Sequence, residues 1–257
     1  MLIDTHCHLD FSEFDNDRES VIERAIENDV KVMIDVGTDM DSSIRAVGLA
    51  RRYRQIYASV GIHPHNANTA DIETVEQIRR LAREEKVVAI GEIGLDYYRS
   101  TAPRDLQKRI FRTFLRVAKE SKLPVIVHNR QADEDIFAII CEELDETDKV
   151  VMHCFSGDYA FLRRCLDAGF FVSFTPNITF KNARRLRSIV AKTPLERLFL
   201  ETDAPFMAPQ AQRGYRSEPS YLSYLADEVA RIKNEKRATV EDTTTGNAIS
   251  FFGLKDD

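Results

Sequence analysis

The stretch Arg104–His128, "RDLQKRIFRTFLRVAKESKLPVIVH", changes its period part-way. Through Lys122 the apolar residues Leu106, Ile110, Phe114 and Val117 recur at helical spacing among charged ones, which predicts an amphipathic helix over Arg104–Lys122. "PVIVH" (Pro124–His128) is then apolar until its last residue, as a parallel strand covered on both faces reads. Similar runs fall at Leu2–His6, Lys31–Gly37, Ile56–Gly61, Val87–Glu92, Lys149–His153, Phe170–Phe174 and Arg197–Asp203, with helical patterns between them. The repeat is about 30 residues, the size of a βα crossover unit. Eight such units predict an α/β fold, a (β/α)8 TIM barrel. An open doubly wound sheet is the rival arrangement, and a solenoid fits poorly because the units share no sequence repeat.

After Asp203 comes a long loop, Ala204–Ser217, carrying Pro205, Pro209 and Gly214. Helical patterns at Glu218–Asn234 and Thr239–Phe251 then read as the last barrel helix and an extra C-terminal helix. No linker or low-complexity stretch interrupts the chain, so residues 1–257 are expected to form a single domain.

The chain has 43% hydrophobic residues and a formal net charge of -6, which argues against bulk non-specific binding to nucleic acid while leaving room for a local basic patch. Its four cysteines, Cys7, Cys141, Cys154 and Cys165, form no CxxC pair. No basic segment leads into an apolar one at the N-terminus, and no apolar run is long enough to span a bilayer. A cytoplasmic protein with reduced thiols and no membrane partner is the expectation. Nothing signals an oligomer, and a monomer is expected.

What ends the strands is chemically informative. The first ends at His6, with His8 just beyond; the third leads to His63; the fourth ends at Glu92, the fifth at His128, the sixth at His153 and the eighth at Asp203. Strand ends of this fold converge on one mouth, where its active sites form. In an extended strand residues i and i+2 point to the same side, so His6 and His8 can present two imidazoles to one metal. His6, His8, Glu92, His128, His153 and Asp203 together supply four imidazoles and two carboxylates, donors suited to ions such as Zn, Mn or Mg. That is more than one open catalytic ion takes and suits two divalent metal ions ~3.5–4 Å apart. Glu92 is the natural bridge. A lone His-x-His is weak, and one strand-end histidine is usually structural; the coincidence across strands is what carries weight. Cys7 and Cys154 are read as packing residues. Glu201 is read as supporting a ligand, and Asp96 as either orienting a ligand or capping a loop.

The blocks "DTHCHLD", "VGIHPH", "GEIGLDYY", "PVIVHNR", "MHCFSG" and "ETDAP", with "EPSYL" and the closing "TTGNAISFFGL", resemble in order the signatures of the TatD family of metal-dependent deoxyribonucleases, within the amidohydrolase-like barrel superfamily. The resemblance runs from residue 2 to about residue 254. It implies a divalent-metal TIM barrel that hydrolyses DNA phosphodiester bonds, metal ligation by the same six residues, and His63 near the substrate phosphate. Ser217 and Gln131 depart from residues frequent in the family, which touches loop contacts and not the metals. The phosphotriesterase-like branch uses a carboxylated lysine as bridge, and no lysine stands at that position here.

On this reading Asp203 acts as general base, Glu92 is the other catalytic carboxylate, and His63 and Arg130 contact the phosphate. Arg99, Lys181, Arg184, Arg185, Arg213 and Arg216 would form a cationic rim. Tyr97, Tyr98, Phe155, Phe180 and Tyr215 would stack on bases of single-stranded DNA or strand ends. The bland alternative is a solvated helix face for the arginines and core packing for the rings. Few rim cations would favour a strand end or short fragments over long duplex, in keeping with the 3′-5′ exonuclease action on single strands that goes with the family resemblance. The same metals would equally serve an ester or amide hydrolase, such as a D-aminoacyl-tRNA deacylase, because function resides in the substrate loops.

Overall fold

The computed structural model describes residues 1–255. Eight parallel strands follow in the order β1 (Leu2–Cys7), β2 (Val30–Val36), β3 (Ile56–Val60), β4 (Val87–Asp96), β5 (Val125–Arg130), β6 (Val150–Met152), β7 (Phe171–Phe174) and β8 (Leu198–Leu200), each paired with the next. Helices α1 (Arg18–Glu27), α2 (Met40–Arg52), α3 (Ile72–Leu81), α4 (Arg104–Ser121), α5 (Asp133–Glu143), α6 (Tyr159–Asp167), α7 (Arg184–Lys192) and α8 (Leu222–Lys233) follow the strands in turn. An additional α9 (Arg237–Phe252) ends the fold. This is the TIM barrel with an extra C-terminal helix that the alternation predicts.

Local chemistry explains the alternation. Asp39, Asp71 and Asp158 cap α2, α3 and α6 by accepting the amides of Ser42, Thr74 and Phe161. In α4 the expected stripe is inward: Ile110, Phe114 and Val117 are buried, and Leu106 is partly so. That helix stops at Lys122, held at φ 56°, just before Pro124.

A second apolar cluster joins Ile3, Ile34, Val88, Ile126, Val151 and Phe199 to Phe251 and Phe252 of α9. The α9 rings meet Phe199 at 5.1 and 5.6 Å between centroids. Lys149 donates to the last carbonyls of α9, on Ser250 and Phe251. Thus α9 stoppers the N-terminal end of the barrel, away from the strand ends that carry the polar residues. No helix among the described residues is long and apolar enough to cross a membrane.

Three strand ends differ from expectation by two residues or more, each for a local reason. β4 continues past Glu92 to Asp96, because its pairing with β5 shifts register between Ile90 and Ile93. Such an irregularity re-aims a side chain without ending the strand. β5 runs on to Arg130 as its partner. β8 stops at Leu200, so Asp203 lies three residues beyond it, in left-handed backbone at φ 54°.

The seam between β8 and β1 is closed by the residues after β8. Asp203 N–H donates to His6 O and His8 N–H to Ala204 O, both at 2.8 Å. Buried Asp4 completes it, accepting the amides of Thr202 (2.9 Å) and His6 (3.3 Å) and lying 2.5 Å from the Thr202 hydroxyl.

Candidate metal centre

The six expected ligands and His63 converge at the C-terminal mouth of the barrel. The Nε2 atoms of His6 and His8 stand 3.2 Å apart. His8 Nδ1 lies 2.7 Å from the Val36 carbonyl, which can only accept, so Nδ1 carries a proton and Nε2 is the nitrogen turned toward the centre. His6 is fully buried, stacked on His153 with ring centroids 3.8 Å apart, and its Nδ1 has no hydrogen-bond partner among the described residues. His153 points Nδ1 at Glu201 (3.1 Å) and Nε2 at Glu92 (3.2 Å).

Glu92 divides its two oxygens. Oε2 lies 3.5 Å from His6 Nε2 and 4.0 Å from His8 Nε2. Oε1 lies 2.7 Å from His128 Nδ1, 3.2 Å from His153 Nε2 and 3.6 Å from His63 Nε2. Asp203 Oδ1 joins the first set, 3.5 Å from His8 and 3.8 Å from His6. Its left-handed backbone costs about 1–2 kcal/mol, strain of the kind functional sites retain.

The donor set fits divalent cations. His6, His8 and Asp203 each bring a ligand atom within 4.8 Å of the others, as do His63, Glu92 and His128, and also His6, His153 and Glu201. Burial pushes the Glu92 carboxyl up, but His153, His63 and His128 outweigh it and hold the group well below the usual carboxylate range. Asp203 is lowered likewise, its burial outweighed by His8, His153 and His6. Both carboxylates are therefore in the ionised form a metal requires. His8 and His153 also have the second contacts of a metal site, in which a ligating imidazole rests its far nitrogen on a carbonyl, here Val36, or a carboxylate, here Glu201.

Asp96 caps its loop, accepting the amides of Tyr98 (2.8 Å) and Arg99 (2.7 Å), and the same carboxylate lies 3.2 Å from His128 Nε2 and 2.9 Å from His65 Nε2. Glu201 supports His153 and also accepts the Cys154 amide. Burial leaves His63 well below the ordinary histidine range, so it is neutral. Its Nδ1 accepts the His65 amide at 3.1 Å, which leaves the ring proton on Nε2.

Over the centre lies a cavity of about 400 Å³ that reaches Arg130 as well as the donors. Arg130 stacks on Tyr98, 4.8 Å from its ring centre. The wider rim is thinner than the sequence predicts. Arg216 is tied to Asp17 at 2.6 and 2.9 Å and covers Phe14, so it anchors a loop. Tyr97 gives its hydroxyl to Asp135, and Phe155 is buried against Phe161, so both rings are packing residues. Tyr98 and Tyr215 are exposed. Sequence reasoning passed over Phe11, His65, Asn66, Phe206 and Met207, all of which line the cavity. Position immediately after "TDAP" was the available signal for Phe206.

The family model described as "TatD related DNase" matches residues 3–253. The chain belongs to the TatD family. It is 42% identical over 254 residues to an uncharacterized metal-dependent hydrolase, YabD, of Bacillus subtilis, covering 99% of this chain and all of that one. It is 35% identical to the 3'-5' ssDNA/RNA exonuclease TatD of Cronobacter sakazakii, covering 98% of this chain and 97% of the relative. Among solved structures, YJJV, a TatD homolog from Escherichia coli K12, superposes with a TM-score of 0.94 at 30% identity, covering 99% of this chain and 98% of that one. As a TatD member the chain is an enzyme, a metal-dependent hydrolase.

Proposed function

We propose that this TatD protein removes nucleotides from the 3′ end of single-stranded DNA by hydrolysing terminal phosphodiester bonds, with two divalent ions, Mg, Mn or Zn, held by its six strand-end donors. The observation that carries the reading is the division of Glu92, one oxygen toward His6 and His8 and the other toward His128 and His153. On this reading His6, His8, Asp203 and Glu92 would hold one ion, and His128 and His153, with Glu92, would hold the other. Bound there, two such ions would lower the pKa of water and neutralise charge on phosphoryl oxygens.

The chain's own residues supply the rest. Asp203 is ionised beside His8 and takes the proton of the attacking water as general base. Neutral His63 offers an Nε2–H donor, 3.6 Å from Glu92 Oε1, to a phosphate oxygen. Arg130 adds a fixed positive charge at the cavity. The single-strand and 3′-end preferences draw on the exonuclease named among the relatives and on a cavity sized for one small ligand.

The test is digestion of 5′- and 3′-end-labelled single-stranded and duplex DNA by metal-stripped protein, with Mg or Mn restored, and Glu92→Ala as paired control. Stepwise shortening from the 3′ end, restored by metal and absent in Glu92→Ala, is expected. A protein that takes up two ions yet leaves DNA intact would sink the substrate and turn attention to ester and amide substrates.

A further inference from the structure

The cavity has two unlike walls. Beside His128 and Asp96 it carries Arg99 and Arg130; beside His8 it carries Phe11, Phe206 and Met207. Phe11 already lies flat on the His8 imidazole, with centroids 4.7 Å apart and planes 17° apart. Phe206 is different. It meets Phe11 and His8 at 6.3 Å with interplanar angles of 79° and 68°, and among the described residues no ring lies flat against it. The residue is 48% exposed, an apolar ring left uncovered at the cavity where burial would be the favourable state. Its place is fixed from the candidate metal centre, since the Phe206 amide donates to the Asp203 carbonyl at 2.8 Å.

We propose that Phe206 is a nucleobase platform: the base of the terminal nucleotide stacks on its free face while the adjoining phosphate lies over the six donors, with Arg130 as counter-charge. This rests on the nuclease reading above and adds how the nucleotide is held. A flat uncovered ring suits a planar heterocycle, and the cationic wall suits the phosphate. Stacking accepts every base because each has a π face, so the site grips nucleotides without reading sequence.

The experiment compares single-stranded oligodeoxynucleotides whose 3′-terminal nucleotide either bears its base or is an abasic tetrahydrofuran analogue, with Mn present. A third substrate is abasic at the penultimate position. Wild type is expected to favour the base-bearing end in kcat/KM by about tenfold, mostly through KM. Phe206→Ala should bring that ratio near one, and Phe206→Trp should restore it. Manganese uptake by Phe206→Ala, measured by calorimetry, should match wild type. Equal rates of wild type on the two ends would overturn the platform while leaving the nuclease reading intact. So would equal losses by Phe206→Ala on both ends, or discrimination only at the penultimate position. Wild type inactive on all three substrates would remove the nuclease reading, and the platform with it.

Discussion

His153 points its Nδ1 at Glu201 from 3.1 Å, and the same carboxylate oxygen accepts the Cys154 amide at 2.7 Å. The pair fixes which nitrogen of His153 is free to bind an ion. Glu201→Gln removes the acceptor preference and lets the ring adopt the other tautomer. Affinity for one of two manganese ions is expected to fall about 10–100-fold, measured by titration calorimetry on stripped protein. Unchanged affinity for both ions would show that Glu201 does not hold the ring.

Asp203 carries two assignments, ligand and proton acceptor. Asp203→Asn preserves shape and removes the basic oxygen. At saturating manganese, hydrolysis of a labelled single strand should fall by about 10²–10⁴, with the circular dichroism spectrum unchanged. Near-native turnover would take Asp203 out of the chemistry.

Much of this was legible in the sequence because a barrel strand buried on both faces leaves few polar positions, so His6, His128 and His153 stand out against apolar neighbours. Glu92 stood out as a candidate bridge, but the way its two oxygens divide between His6 and His8 on one side and His128 and His153 on the other was not legible, since it follows a register shift between Ile90 and Ile93 that no periodicity marks. The loops were the least readable. Tyr97 and Phe155 have the composition of a base-binding rim but pack inward, while Phe206, one residue of the long loop after Asp203, faces the cavity. Alternation assigns a face within a strand; past the strand end only the folded loop does so.

Asp4 joins the first strand to the residues after the last. Burial pushes its carboxyl up to about 7, so a neutral side chain of the same shape should be tolerated better than a truncation. Asp4→Ala strands the buried amides of His6 and Thr202 and is expected to cost about 3 kcal/mol or more, read by urea denaturation. Asp4→Asn should cost clearly less. Equal costs would mean that the hydrogen bonds do not carry the effect.

Glu218 links the loop after β8 to α1 through a two-pronged contact with Arg24, the shorter arm 2.6 Å. Burial raises the Glu218 pKa, but Arg24 and Ser220 outweigh it and hold it below its ordinary value of 4.5. A carboxylate depressed on folding adds stability that is present above the unfolded pKa and lost as pH falls through the folded one. Glu218→Gln should therefore lower the melting temperature at neutral pH, and the gap from wild type should close on acidification below about pH 4.5. A gap independent of pH would assign the loss to packing.

Two glycines separate crowding from open helix. At Gly94, with φ 149°, a Cβ would stand 2.0 Å from the His128 carbonyl oxygen, so Gly94→Ala must push β5 away from β4. A loss of about 3 kcal/mol or more is expected. At Gly48, inside α2, a Cβ meets nothing within 4 Å. Gly48→Ala should gain about 0.5–1 kcal/mol. Urea titration of both variants checks the pair.

The seam has a consequence for synthesis on the ribosome. His6 and His8 leave the exit tunnel long before their backbone partners, Asp203 and Ala204, which follow nearly two hundred residues later. A nascent chain that has reached His153 already holds five of the six donors but lacks the strand that completes the ring. On the proposed assignment, hydrolytic competence therefore waits for Asp203 to emerge, and products truncated before it are born without activity.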